Sequence, residues 1–151
     1  MTTADIPDSG RPPAQPVARR LTWLVLRVVA GFLYFQAGSV ILFGWFGGVP
    51  GMPYAPPRLL SELGIGGVLE FAGSLAILLG LFTRPVAFIL SGEMAVAYWQ
   101  FHAPHALWPF QNQGLSAVLF CFIFLLFAAH GGRDWSLDAV LRRRREAAGA
   151  V

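Results

Sequence analysis

A chain of 151 residues is about one domain's length, but 56% apolar against 13% charged residues is far from the make-up of a soluble domain, where charged residues approach a quarter. A mean hydropathy of +0.59 excludes a disordered protein or a nucleic-acid-binding module. All eleven basic residues are Arg, and four of them run consecutively at Arg142 to Arg145, so the net charge of +3 is local; the lone Cys121 excludes an intrachain disulfide and any centre built on cysteine pairs.

Residues 1–20 hold four Pro and two Asp, too polar to pack, and are expected to form a disordered cytoplasmic tail. Four apolar stretches follow, about 21–43, 63–82, 85–103 and 114–130. Each is tested against the ~20 residues that cross a hydrocarbon layer of ~30 Å, and the last two reach that length only with their flanks. A soluble bundle would need polar faces at the helical period, and Val118 to Ala129 has none. The expected fold is therefore all-α, an integral membrane four-helix bundle over 21–132. Gly44 to Ser61 reads as the longer outer loop and Phe82 to Pro85 as a tight inner turn. Residues 133–151 read as an interfacial helix, N-capped by Ser136, and a basic tail whose Arg run faces anionic lipid or serves topology alone. Arg19, Arg20, Arg84, Arg133 and Arg142 to Arg145 fall on one side of a four-crossing arrangement and Arg58 on the other, which predicts that both termini are cytoplasmic; Trp45, Trp99, Trp108 and Trp135 fall near span ends, like an aromatic belt.

Inside the spans lie three ionisable residues, Arg27, Glu70 and Glu93. Each costs ~2.5–3.5 kcal/mol to insert unless it is paired or hydrated. Arg27, Gly31, Tyr34 and Gly38 form one stripe of the first helix; Gly66, Glu70, Gly73 and Gly80 form one of the second; Glu93 and Gln100 share a face of the third. The expected polar interior holds Arg27, Tyr34, Glu93 and Gln100, with Arg27 paired to Glu93 at matched depth and Glu70 nearer the outer side. That pair alone would only fix helix register. An unpaired Glu70, in contrast, could carry a proton to a bound quinone, with Tyr34 bonding its carbonyl. His102, His105 and Asn112 are outer-loop candidates; Pro104 breaks the helical spacing of the two histidines, so no metal site is expected. His130 reads as a cap on helix carbonyls and Cys121 as a core residue.

Leu69-Glu70 through Leu81-Phe82-Thr83-Arg84, Met94-Ala95-Val96-Ala97-Tyr98 with His102 and Pro104, Asn112 with Gly114, and the closing Trp135-Ser136-Leu137-Asp138 together resemble the DoxX family of small four-helix bacterial membrane proteins, over about residues 20–141. The resemblance implies the bacterial inner membrane and a quinone-linked oxidoreductase subunit. Having no flavin, haem or iron–sulfur motif of its own, the chain would need a redox partner subunit to supply electrons. The alternative is a non-catalytic accessory or assembly subunit, held to partners, to lipid or to a second copy through its glycine-rich helix faces. Nucleic acid is not among the expected partners.

Overall fold

The computed structural model describes residues 16–48, 51 and 53–149. The polar tail expected over 1–20 lies outside them up to residue 15, while Val17 to Arg20 are already helical. Five α-helices account for the regular structure: α1 (Val17–Phe43), α2 (Glu62–Leu79), α3 (Thr83–Ala97), α4 (Leu115–His130) and α5 (Leu137–Ala148). A π turn over Tyr98–His102 continues α3, closed by an Ala103 N–H bond to the Tyr98 carbonyl at 2.9 Å.

The helix ends follow local chemistry. Ser61 caps α2 by accepting from the Gly64 N–H at 3.1 Å, and Glu62 lies in the first turn, where the helix dipole favours an acid. Gly80 ends α2 in the left-handed region that glycine enters freely, and Leu81 N–H closes back onto the Ala76 carbonyl at 2.9 Å. The turn between α2 and α3 is thus Gly80 to Phe82, earlier than the Phe82 to Pro85 that proline placement suggests. Pro85 instead sits in the first turn of α3, where a missing N–H costs no bond.

α1 packs along α2 and α3 along α4, and contact between α2 and α3 joins the pairs. The Tyr34 ring meets Phe124 edge-on with centroids 4.7 Å apart, tying α1 to α4. Small residues permit the approaches: a Cβ on Gly38 would lie 2.5 Å from the Phe71 nitrogen, and one on Gly73 2.7 Å from Leu90.

Large apolar side chains cover the outer surface of the helices, which a protein folded in water avoids. On α1 the buried residues are Arg27, Ala30, Gly31, Tyr34, Gly38 and Ser39. Val25, Val28, Val29, Phe32 and Leu33, the large apolar ones, are 41–50% exposed. Phe88 on α3 and Phe122 on α4 are likewise exposed. An apolar outer surface around an interior that also holds Arg27 and Glu70 is what a hydrocarbon solvent selects. α1 and α2 are long and apolar enough to cross a membrane; α4 is apolar and shorter.

Candidate functional site

Polar side chains gather at two opposite ends of the helices. The loop end carries the connections over 44–61 and 103–114; the tail end carries α5 and the α2–α3 turn.

At the loop end, Glu62, Gly66 and Glu70 occupy one stripe of α2, spaced by four residues. Because Gly66 has no side chain, Glu93 of α3 lies over it, with Oε1 3.5 Å from where a Cβ would stand. The Tyr34 hydroxyl, buried to 1% exposure, donates to Glu93 Oε2 at 2.9 Å. That bond anchors one oxygen of Glu93. Its Oε1, and Oε2 of Glu70, are buried without a hydrogen-bond partner among the described residues. Glu70 is 9% exposed and its Cβ is pressed against Gly38, so the side chain has little freedom to swing out. Both carboxyls line an open groove of about 620 Å³ whose other walls include Ile41, Leu69, Ile89 and Met94. At its mouth Gln100, carried on the π turn, donates through Nε2 to Glu62 Oε2 at 2.8 Å. Gln100 is exposed and bridges to Glu62, where the sequence places it in the polar interior. π turns often mark functional positions, since they shift a side chain out of helical register.

The outer-loop candidates fall into a structural knot. Asn112 is 8% exposed; its amide donates to the Ala106 carbonyl at 2.7 Å and its Oδ1 accepts from Gly114 N–H at 2.8 Å. His102 Nδ1 meets the Asn112 carbonyl at 3.1 Å, and because a carbonyl only accepts, this nitrogen carries the proton. A Cβ on Gly114 would strike Asn112 Oδ1 at 2.7 Å and His102 Cβ at 2.8 Å, which explains the glycine there. His105 is exposed and bonds back to the Phe101 carbonyl at 3.0 Å. His102 also forms part of the groove wall, whereas His105 and Asn112 do not.

At the tail end lies Arg27, and here the expected Arg27–Glu93 ion pair is overturned. Arg27 donates through one terminal nitrogen to the Gly132 carbonyl at 2.7 Å and through the other to the Trp135 carbonyl. Its guanidinium lies beside Gly80, where a Cβ would stand 2.6 Å from it. The cause is helix stagger. Arg27 is level with the end of α2 at Gly80, so the earlier part of α1, from Val17, runs past the α2–α3 turn. Equal sequence distances from the predicted span ends therefore do not mean equal depths. Glu70 and Glu93, counted from Leu79 and Thr83, are nine and ten residues in, or ~14 and ~15 Å by helical rise, so Glu70 is not the outer of the two.

The same end holds contacts the sequence does not announce. Asp138 of α5 accepts from the N–H groups of Phe82 and Thr83 at 2.7 and 2.9 Å, capping α3 across the chain. Phe82 has φ +47°, an uncommon conformation for a large side chain, and these bonds hold it there. Trp23 donates to the Gly131 carbonyl at 3.1 Å, and Arg133 lies over its ring. Ser136 caps α5 by accepting from Ala139 N–H, and His130 bonds the Leu126 carbonyl at 3.0 Å. We call this assembly the latch.

The chain belongs to the DoxX family of membrane proteins, whose pattern matches residues 22–103, from α1 through the π turn. A Haemophilus influenzae protein described as uncharacterized is 35% identical over 123 residues, covering 75% of this chain and 85% of that protein. The chain is also similar to YqjF, an inner membrane protein of Escherichia coli K12, at 29% identity over 135 residues, 80% of this chain and 92% of that one. No solved structure matches.

Proposed function

We propose that the protein crosses the bacterial inner membrane four times, through α1 to α4, with the tail end and both termini in the cytoplasm. It serves there as a quinone-linked subunit of an oxidoreductase. Its relative YqjF, named as an inner membrane protein, supports the location, and the exposed apolar surface of the helices supports the lipid solvent. The exposed Trp135, Leu137, Val140 and Leu141 and the Arg142 to Arg145 run would set α5 in the cytoplasmic headgroup layer.

One observation carries the functional reading: two buried carboxyl oxygens, on Glu70 and Glu93, border a largely apolar groove without partners among the described residues. Such groups are costly to leave unmade, so a ligand that bonds them would recover the cost. A quinone ring fits this chemistry, with flat apolar faces against Leu69, Ile89 and Met94 and oxygens toward the carboxyls. Reduction of a quinone takes up two electrons and two protons. The partner subunit, holding its own redox centre, supplies both electrons; Glu70 passes the two protons in succession, one to each ring oxygen, and is reprotonated between them from the aqueous phase. Tyr34, whose hydroxyl is engaged by Glu93, positions that carboxylate and does not touch the quinone.

The test is native mass spectrometry of the protein purified from membranes in mild detergent, together with Glu70→Gln and Glu93→Gln. Bound quinone is expected in the wild type and lost in the variants while the helical content stays unchanged. Absence of quinone from the wild type, with companion chains retained, would overturn the reading in favour of an accessory subunit.

A further inference from the structure

The tail-end cavity between Phe82, Asp138 and Arg142 is lined by balanced charges, and its acids are engaged in capping and in the Arg142–Glu146 pair at 3.9 Å. The groove leads further. We propose that Glu62, Glu93 and Glu70 form a proton-exchange route that connects the groove to the aqueous phase at the loop end and not to the tail end. The proposal rests on the orientation and the site given above and adds Glu62 to the working residues.

Three observations carry it. First, the carboxyls form a graded series. Glu62 is exposed on the first turn of α2, Glu93 Oε1 hangs over Gly66 one turn deeper, and Glu70 follows a further turn in. A turn of helix rises ~5.4 Å, within what one water or one carboxyl rotation spans. Second, Glu70 is nine-tenths buried, borders the groove, and has an oxygen with no partner among the described residues. Third, the way beyond Glu70 is shut. Ile77, Ala87, Phe124 and Phe127 are fully buried, and Leu90 fills the space over Gly73. The nearest hydroxyls donate to backbone carbonyls, Ser74 to Phe71 at 2.7 Å and Ser91 to Cys121 at 2.8 Å, and the Thr83 hydroxyl, without a partner among the described residues, is separated from Glu93 along α3 by the buried Ala87 and Leu90. Of the other titratable groups around this series, Tyr34 comes from α1, bonded to Glu93, and His102 from the π turn, bonded to Asn112. α4 presents Phe120 and Phe124 to Tyr34, and the Cys121 thiol faces Ser91. Arg27 is turned to the latch.

The test needs no quinone. The full chain is reconstituted into sealed liposomes, its orientation is read by protease access to the C-terminal segment, and it is treated with a hydrophobic carbodiimide, which couples to protonated carboxyls in apolar surroundings. Peptide mass spectrometry reads the label on Glu70 and Glu93. With the tail-side pH held, raising the pH on the loop side is expected to abolish labelling; the reverse gradient leaves it unchanged. Labelling that follows the tail-side pH, or both sides alike, overturns the route. In a loop-side pH jump, the protonated-carboxyl infrared band of Glu62→Gln is expected to respond several-fold more slowly than that of the wild type. An equal rate removes Glu62 from the route. Either result stands whether or not quinone binds.

Discussion

The latch and the groove place the same kinds of atoms in the same apolar protein and treat them in opposite ways. At the latch, the charged ends are met: Arg27 reaches two carbonyls and Asp138 two N–H groups, leaving over the Nε of Arg27 and Arg133 and the Thr83 hydroxyl. At the groove, the charged ends are themselves the unmatched atoms, Glu70 Oε2 and Glu93 Oε1. A buried polar group that is satisfied fastens; one that is not waits for something. The contrast assigns structure to one end and chemistry to the other, and substitutions should separate the two.

The largest effect is expected at the latch. Arg27→Ala removes two charge-assisted hydrogen bonds, at ~1.5–3 kcal/mol each, and orphans the carbonyls of Gly132 and Trp135. Thermal unfolding in detergent should show a loss of about 3–6 kcal/mol, with α5 becoming open to protease. A variant as stable as the wild type would mean that the latch fastens nothing. Next comes Gly38→Val, on the α1 face that backs Glu70. Its added side chain meets Phe71 backbone and Glu70 Cβ at 2.5 and 2.9 Å, so α1 and α2 must part, at a cost of roughly 1–3 kcal/mol. This variant disturbs the groove through packing alone, and the same melting experiment reads it. Asp138→Ala, which uncaps α3 and frees the Phe82 turn, is expected to cost about 1–2 kcal/mol. Proteolysis at Gly80 to Phe82 checks it.

The same contrast explains what could be read before any coordinates. Inward stripes were legible because burial on a helix repeats every three or four residues: Arg27, Gly31, Tyr34 and Gly38 are all buried, and Gly66 and Gly73 do meet α3. The same periodicity turns Glu70 toward protein, but it does not show that Glu93 of α3 stands beside it. Depth was not legible. It depends on how far each helix slides past its neighbour, which no repeat within one helix encodes, and so the sequence pairs Arg27 with Glu93 whereas the fold gives it to the carbonyls after α4. Glu62 lies one residue outside the second apolar stretch, 63–82, and so does not count among the ionisable residues inside the spans. Its spacing of four from Gly66 and of eight from Glu70 was the available signal. Asp138 could be seen only as part of a recurring Trp-Ser-Leu-Asp string, since a side chain that caps a helix more than fifty residues away in sequence leaves no local trace. Gly31, Gly38, Gly66, Gly67 and Gly73 are taken up by neighbours within the chain, and among the helical glycines only Gly92 has open space beside it.

The smallest change in stability is expected where the largest change in function is. Glu70→Leu replaces a carboxyl that has an unmet oxygen with an apolar side chain of similar size, at a position already walled by Ile41 and Leu69. Removing a buried oxygen that has no partner among the described residues, as Oε2 has none, relieves its desolvation without breaking a bond. The melting midpoint should therefore hold or rise, with a gain in stability below about 1 kcal/mol, while carbodiimide labelling at this position and quinone retention disappear. A protein tuned only for stability would carry leucine at residue 70. If Glu70→Leu instead melts as early as Arg27→Ala, then Glu70 is held by contacts as firm as those of the latch, and the division between a fastening end and a working end fails.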